Sequence, residues 1–240
     1  MFDDSSPLER QARKRKAVWT ITLASQKGGT GKSTLSIGLA VAAMEDSERV
    51  CLLETDAQGT ISNWGIRRAN PDPAVERIAD RFQLERALRM LVRRSYTLAI
   101  IDTPGSDNDI TTAAIRMADL CLPARPSLAD IEAAYPTLLA IHRFDKAFAF
   151  VLNQAPVRGQ RLGHVATGLN EVGKLALPYI ALRNDHMDSL AAGLAVSEFA
   201  PNGFAAAEIR ALWAWSKHKL TSAAPAEKAP ELVRAAAATR

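Results

Sequence analysis

The 240-residue chain predicts an α/β fold: one domain, a mostly parallel twisted sheet, and helices on both faces of that sheet. Three observations carry the expectation. Short apolar runs recur along the chain, as strands buried on both faces do. Stretches with helical periodicity separate them. No hairpin signal joins neighbouring runs, so successive strands need crossover connections. A hydrophobic content of 48% and a charged content of 23% suit a soluble globular domain, and the length suffices for a substantial core. The net charge of +4 is compatible with a polyanionic partner without pointing to one. No run approaches the roughly 18 apolar residues of a membrane span. The N-terminus has no apolar signal-peptide core, so the expected location is cytoplasmic. Cys51 and Cys121 lie far apart in apolar runs with no C-x-x-C pair, and read as buried strand thiols in a reducing compartment.

Residues 1–16 end in the basic run Arg10 to Lys16 and read as a solvated tail, or as an arm that tracks DNA phosphates. The first strand is expected in Val18–Ala24 and the first helix over Leu35–Met44. Between them Gly28 to Ser33 spells the phosphate-loop pattern G-x-x-x-x-G-K-[ST]. Glycines there let the backbone wind around an anion, with its N–H groups and those of the helix start pointing at a phosphate. Lys32 then neutralises β/γ-phosphates and the Ser33 hydroxyl ligates Mg²⁺. This is a nucleoside triphosphate site in outline.

A second apolar strand, Val50–Leu53, runs into Glu54-Thr55-Asp56-Ala57-Gln58-Gly59. A carboxylate beyond a strand's C-terminal end, here Asp56, faces the ligand crevice of a parallel sheet, where it can orient a water or sense Mg²⁺. Trp64 reads as a packing residue. Prolines at 71 and 73 mark a turn, and Ala74–Arg94 has a helical pattern in which Ile78, Phe82, Leu84, Leu88, Leu91 and Val92 share an apolar face. Its many arginines alternate with acids, as on a solvated helix face. Leu98-Ala99-Ile100-Ile101-Asp102 has the Walker-B form, in which Asp102 holds the Mg²⁺ shell opposite Ser33.

Further strands are expected at Leu120–Pro123, Ala147–Leu152 and Leu175–Ile180, and a helix capped by Ser127 or Asp130 runs through Phe144. A final amphipathic helix packs through Ile209, Leu212 and Trp213. The chain thus divides into a basic tail (1–16), one phosphate-loop domain (17–219) and an Ala/Pro/Glu/Lys-rich tail (220–240).

The octet Lys27-Gly28-Gly29-Thr30-Gly31-Lys32-Ser33-Thr34, with a lysine ahead of the first glycine, resembles the deviant phosphate loop of the ParA/MinD family of ATPases. The likeness extends over roughly residues 18 to 215. Glu54–Gly59 is similar to the family's D-x-D-P-Q-G segment, with Glu54 for the first Asp and Ala57 for the Pro; Asp102-Thr103-Pro104-Gly105 is similar to its switch. The closing segment from Leu182 to Leu212 follows the family's order, and Pro123–Asp130 is similar to small plasmid-partition ATPases.

The resemblance implies ATP and Mg²⁺ as ligands and slow, Mg-dependent ATP hydrolysis, with Lys27, Lys32 and Asp56 in catalysis. It implies nucleotide contacts from Lys27 through Thr34, with Asn153 on the adenine, and metal contacts from Ser33 and Asp102. Lys27 would reach the other subunit's nucleotide in an ATP-sandwiched homodimer. Arg183, Arg210, Lys217 and Lys219, with His218 beside them, would present a basic face to non-specific DNA, placing the protein on the nucleoid. Hydrolysis would await a ParB-like or other stimulating adaptor, and the cargo would be a plasmid, chromosome region or protein body. Residues 231–240 have too few bulky apolar side chains for the membrane-binding helix of MinD-type relatives. The motifs leave open an accessory ATPase of conjugative transfer or cellulose synthesis, a MinD-like spatial regulator, and a nucleotide-dependent scaffold.

Overall fold

The computed structural model describes residues 17–25, 27–125, 135–157 and 175–222. The elements are β1 (Trp19–Leu23), α1 (Lys32–Glu45), β2 (Val50–Glu54), α2 (Thr60–Arg67), β3 (Ala74–Arg77), α3 (Arg81–Arg93), β4 (Leu98–Asp102) and α4 (Asp109–Met117). They are followed by β5 (Leu120–Cys121), β6 (Ala124–Arg125), α5 (Tyr135–Arg143), β7 (Val151–Leu152), α6 (Asp185–Ala191), α7 (Val196–Phe199) and α8 (Phe204–Thr221). Strands β3-β2-β4-β1-β5 pair in that order, and every ladder is parallel. Backbone bonds from Cys121 to Ala147 and Ala149, and from Phe150 and Leu152 to Ala176 and Ile180, carry the sheet onward through β7.

Alternation along each strand sorts the core into two layers. Val50, Leu52, Leu98 and Ile100 face α1 and α8 and pack with Ile209, Leu212 and Trp213. Cys51, Leu53, Ala99 and Ile101 face the other way, onto Leu84, Ala87 and Leu91 of α3 and Ile110, Ala113 and Ala114 of α4. Helix α1 is buried over Leu35–Ala43, since it lies between sheet and α8. Its Gly38 permits that approach: a Cβ there would stand 3.2 Å from the Ile209 side chain. The doubly covered parallel sheet is the expected architecture. Both cysteines are buried free thiols, and desolvation pushes each up to about 12.

Three local expectations are corrected. Ala74–Arg77 is not helical; it is the parallel edge strand β3, paired with Cys51–Glu54. The helix starts after Asp80, whose carboxylate accepts from the N–H groups of Phe82 and Gln83 at 2.8 Å. Phe82 and Val92 are exposed rather than on the buried face. Leu175–Ile180 makes one isolated bridge, Leu175 with Phe150, because Pro178 has no N–H to give a ladder; the stretch after Gly59 adds a helix, α2. Ser127 and Asp130 lie outside the described residues, as do residues 1–16 and 223–240. The last helix runs on to Thr221.

Candidate nucleotide site

The turn between β1 and α1 is shaped by Gly29 and Gly31, at φ 75° and 80°, where a side chain is strained. Gly31 is also the N-cap of α1, so no side chain occupies the helix's first N–H groups, and its first turn carries no acid. Those groups and the helix dipole are left for an anion. Within the loop Lys32 is buried and its ammonium donates to the Lys27 carbonyl at 3.4 Å. The Thr30 hydroxyl reaches the same carbonyl at 3.5 Å. Lys27 itself is exposed, whereas Lys32 is buried.

At the floor, the Ser33 hydroxyl donates to Asp102 at 2.7 Å, joining the start of α1 to the end of β4. Ser36 adds a 3.5 Å contact to the other carboxylate oxygen. Burial pushes Asp102 up to about 7 against the Ser33 hydrogen bond and Lys32, which pull it down, while the charges of Asp56 and Glu54 raise it further. A hydroxyl and a carboxylate side by side fit a Mg²⁺ that takes its remaining oxygens from phosphate and water. Among the described residues no group of three or more His, Cys, Asp or Glu could hold a metal alone. The donor set therefore suits a metal that arrives with its nucleotide.

Asp56 lies on the loop after β2, half-buried, with its carboxylate accepting the Gln58 N–H at 3.0 Å. That loop is pinned at both ends. Before it, the buried Glu54 carboxylate accepts the N–H groups of Ile61 at 2.6 Å and Ser62 at 3.1 Å, and the Ser62 hydroxyl, so it caps α2 from across the loop. Within it, Thr55 donates to the Asp102 carbonyl at 2.8 Å. In the sequence Glu54 stands out only as a departure from the family's Asp; the N–H groups it accepts lie seven and eight residues on, beyond any local signature. After β4, the Thr103 hydroxyl donates to the Leu23 carbonyl at 2.8 Å, and a Cβ on Gly105 would stand 2.9 Å from the Gly28 nitrogen. The Asp-Thr-Pro-Gly segment thus rests directly on the phosphate loop.

Asn153 is buried and donates to the Thr30 carbonyl at 2.8 Å, and its neighbour Gln154 donates to the Gly29 carbonyl at 2.9 Å. Both side chains tether the loop backbone. Gln154 went unremarked in the sequence, where only its adjacency to Asn153 could have flagged it.

Three of the four C-terminal cations are internally paired. Arg183 meets Glu208 at 2.6 Å, Arg210 meets Glu45 at 2.6 Å, and Lys217 meets Asp46 at 2.7 Å and Glu48 at 3.1 Å. Lys219 lies over the Trp215 ring at 5.8 Å. These residues therefore staple α8 to its surroundings as much as they offer charge. Trp64 is fully buried, donates to the Leu194 carbonyl at 3.1 Å and lies under the Arg68 guanidinium, as a packing residue should. No described helix is long and apolar enough to cross a membrane.

Residues 21–199 match the family model of the CobQ/CobB/MinD/ParA nucleotide binding domain. The maintenance of carboxysome distribution protein A of Halothiobacillus neapolitanus is 27% identical over 202 residues, 80% of this chain and 92% of its own. Among solved structures, the septum site-determining protein MinD of Pyrococcus horikoshii, complexed with Mg-ADP, superposes with a TM-score of 0.70 at 16% identity, covering 86% of this chain and all of that one. The MinC:MinD cell division complex of Aquifex aeolicus gives a TM-score of 0.70 at 14% identity over 88% of this chain and 99% of that one, so a protein of this fold assembles with a protein partner. The chain belongs to the CobQ/CobB/MinD/ParA family, as a nucleotide-binding ATPase of the ParA/MinD type.

Proposed function

We propose that this protein is a small ParA-like ATPase that forms an ATP-sandwiched dimer, holds DNA without sequence preference, and segregates or positions a plasmid, a chromosome region or a protein cargo. The observation that carries the reading is the different burial of two lysines five residues apart: Lys32 is buried inside the loop, while Lys27 is exposed. One lysine inside suffices for the chain's own phosphates. A second, exposed one suits the phosphates of a facing subunit.

In this reading the loop N–H groups and Lys32 hold the triphosphate, and Ser33 with Asp102 holds the metal, whose charge stabilises the transferred phosphoryl group. Asp56, on a loop fixed by Glu54 and Thr55, orients the attacking water. The loop carries no strong general base, so turnover is slow until an adaptor, ParB-like or otherwise, completes the site. Supporting the positioning role is the carboxysome-distribution relative at 27% identity.

Light scattering with ATP, with ADP and without nucleotide tests the cycle. Dimers with ATP alone are expected, and Asp56→Ala should hold them longer by slowing hydrolysis at least about tenfold. Turnover and dimer lifetime equal to wild type in that variant would remove Asp56 from the reaction.

A further inference from the structure

The exposed face of α3 carries a row of cations that the nucleotide site does not use. Phe82, Arg86, Arg89 and Arg93 stand at i, i+4, i+7 and i+11 and are all exposed, opposite the buried Leu84, Ala87 and Leu91. At a rise of about 1.5 Å per residue, the three arginines span about 10 Å along the axis. Between Asp80 and Arg94 there are five arginines and two carboxylates. Asp80 is engaged in capping the helix, and Glu85 sits 3.0 Å from Arg116 but 3.9 Å from Arg89. Arg86 and Arg93 meet no carboxylate among the described residues. The contrast with Arg183, Arg210 and Lys217, each closed onto an acid within 2.7 Å, is direct.

We propose that this face of α3 is a docking surface for the phosphate backbone of duplex DNA; it rests on the DNA-binding reading above and relocates the surface that performs it. Arg86 and Arg93, with no carboxylate partner among the described residues, and Arg89, held only at 3.9 Å by Glu85, offer guanidinium groups suited to phosphate oxygens. Their line along one helix matches a row of phosphates rather than a single anion. A bilayer needs a continuous apolar stripe, and this face offers only Phe82 and Val92, ten residues apart, with Phe82 already beneath the Arg81 guanidinium at 4.6 Å. A protein interface needs an apolar centre, which this face also lacks.

The test is binding of a labelled random-sequence duplex, followed by anisotropy with Mg-ATP over a salt series. The variant Arg86→Gln/Arg89→Gln/Arg93→Gln should lose about tenfold or more in affinity and flatten the log–log salt slope by up to about 2.7 per protomer, at about 0.9 per phosphate contact. Its basal ATPase rate should equal wild type, which also reports that it folds. If the triple variant does not fold, Arg93→Gln alone should flatten the slope by about 0.9. Unchanged affinity and slope, with binding lost instead in Arg210→Gln/Lys217→Gln, would overturn the α3 surface while leaving DNA binding intact. A wild type that ignores duplex but binds phosphatidylglycerol vesicles, or neither, would overturn the proposal together with the DNA reading.

Discussion

Asp102 concentrates the electrostatics of the site in one residue. Its carboxyl titrates near 4 in an unfolded chain and at about 7 in the fold, because burial disfavours the anion. Between those values the folded protein holds a proton that the unfolded chain has released. Its contribution to stability is therefore present below about pH 4 and is lost as pH rises through about 7. Thermal melts of the nucleotide-free protein should show this decline, and Asp102→Asn should flatten it; a variant with the same pH profile as wild type would contradict the assignment. Metal binding requires the ionised carboxylate, so Mg²⁺-dependent nucleotide affinity should increase up to about pH 7. Gly31 makes a second prediction. Alanine there would be strained at φ 80° and would collide with the Asn153 amide, displacing it from Thr30. Nucleotide affinity, read by titration with a fluorescent ATP analogue, should fall about fivefold or more, as expected for about 1–3 kcal/mol of backbone strain.

At the scale of elements, Asp80→Ala should cost about 1 kcal/mol in urea unfolding, because two N–H groups of α3 lose their acceptor. An unchanged midpoint would show that the cap carries no energy. The same residue explains what the sequence revealed and what it hid. The strand, glycine turn and helix around Lys32 were legible because apolar runs and φ-permissive glycines are local signals. So was the end of β4 at Asp102. Ala74–Arg77 was not, since a four-residue edge strand with Glu76 and Arg77 carries no alternating pattern and merges with the charges of α3. Asp80 followed by Gln83 was the available signal, the Gln83 side chain accepting the Ala79 N–H at 3.0 Å. The pairing of Arg210 with Glu45 and of Lys217 with Asp46 spans 165 and 171 residues, so only packing of α8 on α1 brings it about. Charges counted along the chain cannot show which are already neutralised.

For the whole molecule, the loop that bears Asp56 is tied to the C-terminal region through α2. Arg68, whose side chain is 2% exposed, bridges Glu198 with two 2.6 Å contacts and donates to the Asp72 carbonyl. Gly193 packs on the Arg67 carbonyl so closely that a Cβ would stand at 2.6 Å. Arg68→Met should destabilise the fold by about 3 kcal/mol by leaving the partly buried Glu198 carboxylate with the Ala195 N–H but no counter-charge, and a smaller loss in ATPase rate than in stability would show that the link is structural. The central claim, that one lysine serves its own subunit and the other its partner, has one direct measurement. Lys27→Ala and Lys32→Ala are compared with wild type for ATP binding by titration and for mass by light scattering, with Mg-ATP. The account predicts that Lys27→Ala binds ATP and stays monomeric, whereas Lys32→Ala loses ATP binding and dimers together. ATP-dependent dimers of normal stability in Lys27→Ala would contradict it.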